Sequence, residues 1–131
     1  AYIDHVPAIT LASFTLMTMF GMNRGLRGAS VGHLAAFEMT SSIPCRMVAL
    51  GLRRLGFGED VAAYYDEHVE ADAVHEQVAM RDICGALVAD APHLRDDVLL
   101  GVAACLCLDA VAGEALLTRW ESGEHLGSGA A

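Results

Sequence analysis

Lysine is absent from this chain, and all eight basic residues are arginine. Set against 17 acidic residues, they leave a formal charge of −9. Apart from the pairs Arg24/Arg27 and Arg53/Arg54 they are scattered, so no basic stripe exists that could displace many counterions from a phosphate backbone. No nucleic acid partner is expected. Strand signals are nearly missing, and there are no internal repeats. Metal-ligating or redox Cys-x-x-Cys pairs are missing too. The four cysteines, Cys45, Cys84, Cys105 and Cys107, have neither zinc nor disulfide spacing, and Cys105 and Cys107 would face opposite sides of a helix. They read as buried, reduced thiols that behave as small hydrophobes. That fits a reducing compartment and a cytoplasmic location. The N-terminus has no basic region ahead of its apolar stretch, so no signal peptide is visible.

What is abundant is apolar surface: 54% of the 131 residues are hydrophobic and only 19% are charged. A domain of this length buries about two-thirds of its unfolded surface, so the apolar content exceeds the needs of one small core. We expect a homo-oligomer, or association with a missing N-terminal half. The opening Ala1-Tyr-Ile-Asp, with no initiator methionine, also suggests a fragment or processed chain. The uncharged run from Val6 to Met22 contains Pro7, Gly21 and several hydroxyl residues, and Val98 to Leu117 carries Asp109 and Glu114. Both read as buried bundle helices, and no membrane partner is expected.

The predicted class is all-α, a bundle of about four long helices in an incomplete helical domain over 1–121, with a flexible tail over 122–131. The first helix runs from an Asp4 N-cap to about Met22. The stretch Asn23-Arg-Gly-Leu-Arg-Gly28 is a loop or a weak helical start. A second helix covers about Ser30 to Leu55, interrupted near Ser41-Ser42-Ile43-Pro44 because proline lacks a backbone donor and crowds the preceding turn. Gly56-Phe57-Gly58 ends it. A third segment spans Glu59 to about Ala89; Val61, Tyr64 and Tyr65 lead into it, and Val69, Val74, Val78, Ala79, Ile83 and Leu87 supply its apolar packing. After Pro92 a fourth helix runs from about Leu94 to Trp120.

The most informative pattern lies in the third segment, in His68-Val-Glu-Ala-Asp72-Ala-Val-His75. At about 100° per residue, Asp72 falls about 40° from His68 and His75 about 20° to its other side. Two imidazoles and a carboxylate thus share one stripe, while Glu70 points elsewhere. Two histidines and a carboxylate suit ferrous iron with open coordination positions. Burying three ionisable groups beside apolar residues is costly unless an ion compensates. The competing reading is a solvated face shared with Glu67, Glu76 and Asp82.

Glu38 lies mid-helix among small and apolar residues, where a lone glutamate is rarely buried unless paired or coordinating. A glycine turn at 56–58 favours antiparallel packing of the second and third helices, which would bring Glu38 and Asp72 to compatible heights. His33, about 140° from Glu38 around the helix, reads as a core or supporting group. Asp109 and Glu114 read as partners of arginine or as supports for the ligands. His5, His93 and His125 read as ordinary surface residues. Phe37, Met39, Met47, Leu50 and Met80 are candidates for lining an apolar substrate pocket, although plain core packing accounts for each of them as well.

The segments Gly32-His-Leu-Ala-Ala-Phe-Glu38-Met-Thr-Ser and Tyr64-Tyr-Asp-Glu-His68-Val-Glu-Ala-Asp72-Ala-Val-His75-Glu resemble the iron-containing redox enzymes of the haem-oxygenase-like di-iron oxidase superfamily. The resemblance extends from about Ala1 to Trp120. It implies a haem-oxygenase-like helical fold and dioxygen activation at non-haem Fe(II), two ions per complete site. It also implies that Glu38, Asp72 and His75 bind one iron and that His68 helps bind the other. The family pattern has an earlier Glu and His, which Asp4 and His5 do not match in spacing, so the chain looks like the C-terminal half of such a protein. The implied function is a non-haem iron oxidase or oxygenase that uses O2 on a small organic molecule. The alternative is a truncated or degenerate non-catalytic helical interaction module. A ferritin-like carboxylate bundle would need Glu-x-x-His on two helices, and the chain has none.

Overall fold

The computed structural model describes residues 2–123, and all regular structure among them is helical. Tyr2–His5 forms a 3₁₀ turn, and Pro7, with ψ 141°, holds the chain extended ahead of helix α1, Ala8–Met22. The helix therefore begins after Pro7 and not at Asp4, because an extended ψ cannot continue a helix. Asn23 accepts a hydrogen bond of 3.0 Å from the Gly25 amide. This Asx turn leads through a 3₁₀ turn, Arg24–Leu26, into helix α2, Arg27–Arg54. The glycine-rich stretch is thus a turn followed directly by helix, and α2 starts ahead of Ser30.

Helix α2 continues through Pro44 without interruption. Proline removes a single backbone donor there, but α2 is the central rod and packs along its length against α3 and α5, which holds it together. The helix ends where Gly56 takes φ +85°, a conformation open to glycine. The Phe57 amide then bonds the Leu52 carbonyl at 3.1 Å and the Gly56 amide bonds that of Arg53 at 3.0 Å, the paired closure of a Schellman cap. The chain reverses into α3, Glu59–Gln77, with Glu59 and Asp60 at its positive end.

The third rod is not uniform. A π-helical stretch, Val78–Gly85, separates α3 from α4, Ala86–Asp90. In a π-helix the hydrogen bonds span five residues, which lets Ala79 and Cys84, five apart, both face the core. A 3₁₀ turn at Pro92–Leu94 then opens α5, Arg95–Glu121. By length and composition the rod Pro92–Glu121 is long and apolar enough to cross a membrane.

The core is built from small residues. A Cβ on Gly32 would lie 1.9 Å from the Val98 carbonyl oxygen, and one on Gly101 would lie 2.0 Å from that of Ala29. Helices α2 and α5 therefore cross backbone to backbone, and Ala29, Ala35, Ala36, Ala49, Ala62 and Ala79 fill the narrow space beside them. Among the described residues only three larger apolar side chains, Phe20, Leu94 and Val98, are buried with them. The expectation that Val74, Val78 and Ile83 pack the third rod is overturned, since all three are exposed. The thiols divide likewise: Cys84 and Cys105 are buried, Cys45 is half-buried, and Cys107 is exposed rather than buried as expected. The predicted flexible tail lies, from residue 124 on, outside the described residues, and with it His125. The His5 side chain lies outside them too, and His93 is exposed as expected.

Candidate metal centre

Helices α2 and α3 run antiparallel from the Gly56 turn, and three cross-links descend the pair like rungs. Nearest the turn, the Arg53 guanidinium bridges Glu59 at 2.6 Å and Asp66 at 2.5 Å. Hydrogen bonding to Arg53 holds both carboxyls below their usual range. The second rung is Ser41, whose hydroxyl lies 2.7 Å from Asp72 Oδ2. The third joins Glu38 Oε2 to His75 Nδ1 at 3.2 Å. The arginine rung sets the register, and the register brings Glu38 opposite Asp72 and His75.

The donor atoms of Glu38, Asp72 and His75 lie within 4.8 Å of one another. Their exposures differ in a useful way. Asp72 is only 3% exposed, whereas the side chain of Glu38 is 22% and that of His75 57% exposed. The site is therefore closed at its base and open on the Glu38–His75 side. Above the opening lies a cavity of about 210 Å³ lined by Leu34, Glu38, His75, Val78, Ala79 and Ile83. Three of its walls come from the π-helical stretch, which starts just after His75. Of the expected pocket residues, Met39, Met47, Leu50 and Met80 do not line it, and Phe37 lines two neighbouring cavities instead.

The chemistry of these donors fits a divalent cation. A buried carboxylate is costly unless it is paired, and among the described residues Asp72 is bonded only by the neutral Ser41 hydroxyl. That hydroxyl has a single hydrogen, and its second acceptor, the Glu38 carbonyl, is more distant at 3.1 Å. Two ligands each about 2.1 Å from an ion and about 90° apart would be about 3.0 Å from each other. The 3.2 Å between Glu38 Oε2 and His75 Nδ1 is close to that value. An ion can thus take the place of the contact between them with small movements of the two side chains.

His68 stands outside this group. Its Nδ1 is 2.6 Å from the carbonyl of Tyr64, one turn earlier, and its ring stacks at a tilt on Tyr64 with centroids 4.3 Å apart. A carbonyl can only accept, so Nδ1 carries a hydrogen and Nε2 is the ring nitrogen left for another partner. His33 is not a ligand here. It is buried edge-on against Phe20, with ring centroids 5.9 Å apart, and its Nε2 has no partner. Burial pushes its pKa down, and the charge of Asp109 opposes that only in part. Asp109 and Glu114 are exposed on α5. Asp109 meets the Ser13 hydroxyl at 3.4 Å and the Cys105 thiol at 3.7 Å, not an arginine. Burial, and then the charge of Asp72, raise the Cys45 thiol.

Sequence reasoning missed Ser41, which it read only as part of a helix interruption. Its signal was the helical repeat: Ser41 lies three residues after Glu38 and so on the same side of α2.

No curated protein and no solved structure matches this chain. A family model described as "iron-containing redox enzyme" matches residues 1–110, a span that includes Glu38, His68, Asp72 and His75, and this haem-oxygenase-like, all-helical chain belongs to that family.

Proposed function

We propose that this chain carries the metal-binding core of a non-haem iron oxidase or oxygenase that uses O2 on a small organic substrate. The observation that supports this reading best is the convergence of Glu38, Asp72 and His75 donor atoms in a chain of an iron-containing redox enzyme family. Those three residues hold one ferrous ion. His68, with Nε2 left free by its bond to Tyr64, helps hold a second, whose other ligands come from a further segment or another copy. When bound, ferrous iron with open positions supplies the reduction of dioxygen.

The chain's own residues define how that happens. Asp72, buried and held by Ser41, fixes the base of the site, and its hard anionic oxygen favours a more highly charged metal. Glu38 is partly exposed and can shift between ligand positions as charge changes. The apolar walls Leu34, Val78, Ala79 and Ile83 limit water on the open side. The charge of −9 supports a protein with no nucleic acid partner, the acids Asp109 and Glu114 within α5 support one with no membrane partner, and free cysteines support a cytoplasmic location. Exposed Phe37, Met47, Leu50 and Met80 support self-association or cover by another segment. The same surface favours a second reading, a non-catalytic helical interaction module.

Anaerobic loading with ferrous ion, followed by metal analysis and oxygen-uptake measurement, separates the two. The enzyme reading predicts iron retained in the wild type and lost in Asp72→Ala, with oxygen consumed only by the loaded wild type. Equal iron in both proteins, or none in either, contradicts it.

A further inference from the structure

A second cavity, of about 300 Å³, lies between α2, α3 and α5. Its walls include Phe37, Pro44, Val48 and Tyr65, which are apolar or aromatic, together with Ser41 and Asp109. Ser41, one of its lining residues, also bonds Asp72 Oδ2 at 2.7 Å, so the cavity adjoins the metal centre. A molecule seated against Ser41 would thus lie one side chain away from the buried ligand. At about 30 Å³ per water-sized group, the space holds about ten non-hydrogen atoms.

Asp109 is the only charged residue in that lining. It projects from the apolar helix α5, and the groups that meet its carboxylate are both neutral and distant, Ser13 at 3.4 Å and Cys105 at 3.7 Å. Its negative field is felt nearby: burial first, and then the charge of Asp109, push the Cys105 thiol up to about 11. An apolar slot with one carboxylate in its wall, which has no positive partner among the described residues, complements a cation with a hydrocarbon body. It repels an anion of the same shape.

We infer that this cavity is a binding site for a small organic cation, an aliphatic primary ammonium, with Asp109 binding the charged end and Phe37, Pro44 and Val48 packing the chain. It lies behind Ser41 and Asp72, apart from the open side of the metal centre, and the preference for a cation rests on the cavity alone.

The test is calorimetric titration of the full chain at neutral pH with n-hexylammonium, n-hexanol and hexanoate, repeated on Asp109→Asn. The substitution is isosteric and on an exposed side chain, so the fold is retained. The expected result is binding of hexylammonium, weaker binding of hexanol and none of hexanoate. Asp109→Asn should weaken the ammonium about fivefold, the upper range for a partly exposed ion pair. Equal binding of ammonium and alcohol, no change in Asp109→Asn, or no ammonium binding at all overturns the inference. Ferrous uptake should be the same in both proteins, because Asp109 is not one of the metal-site residues. Loss of uptake in Asp109→Asn would overturn the separation of the two sites.

Discussion

The Ser41 hydroxyl, 2.7 Å from Asp72 Oδ2, is the bond through which α2 holds the one buried carboxylate of the metal centre. It fixes the carboxylate through Oδ2 and so sets the direction in which Asp72 presents its donor oxygen. Groups that orient a ligand in this way are commonly worth about 10- to 100-fold in metal affinity. Ser41→Ala should weaken ferrous binding about tenfold in an anaerobic titration, and Ser41→Thr, which keeps the hydroxyl, should restore most of it. An unchanged Ser41→Ala affinity would show that Asp72 is positioned by packing alone.

The α2–α5 crossing should tolerate no side chain. Gly32→Ala places a methyl 1.9 Å from the Val98 carbonyl oxygen, and the backbones must separate to admit it. Overpacking of this kind costs about 3 kcal/mol, or about 10 °C in Tm for a chain of this size. Gly113, which has nothing within 4 Å of an added Cβ, is the control. Gly113→Ala should leave Tm unchanged or raise it, because alanine favours helix. Thermal melts followed by circular dichroism would show the contrast.

His33 should make stability depend on pH. Burial lowers its folded pKa below the ordinary value of about 6.5. Between those two pKa values the unfolded chain binds more protons than the folded one, so stability rises with pH there. The contribution is complete above about pH 6.5 and is lost as pH falls through the window below it. His33→Phe keeps the edge contact with Phe20 and removes the titrating group. Its Tm should therefore vary less with pH than the wild type between pH 7 and 5. Parallel curves would contradict the assignment.

Much of this arrangement was legible because its causes are local. Gly56 with φ +85° and Pro92 mark helix ends through their own backbone limits. The helical repeat puts Asp72 and His75 on one stripe, and the short turn at Gly56 brings Glu38 opposite them. His68 belongs to the same stripe by angle, yet it bonds the carbonyl of Tyr64 within its own helix, a local competition that periodicity does not show. The tight crossing was hidden for the opposite reason. Gly28 and Gly32 have a close-packing spacing, but the residues they meet, Leu94, Asp97 and Val98, lie far along the chain, and only the fold brings them together. Once the backbones meet, alanine fills the core, and the valines and methionines expected inside are forced outward. The π-helical stretch had no readable signal, because it follows from Ala79 and Cys84 both packing inward against α2 and α5.

The most direct test of the metal centre is a crystal grown after anaerobic ferrous loading, with anomalous scattering recorded on both sides of the iron absorption edge. The account predicts an iron peak within about 2.2 Å of oxygens of Glu38 and Asp72 and of a His75 ring nitrogen. An iron peak elsewhere on the chain, or no peak between those three side chains in fully loaded protein, would contradict it.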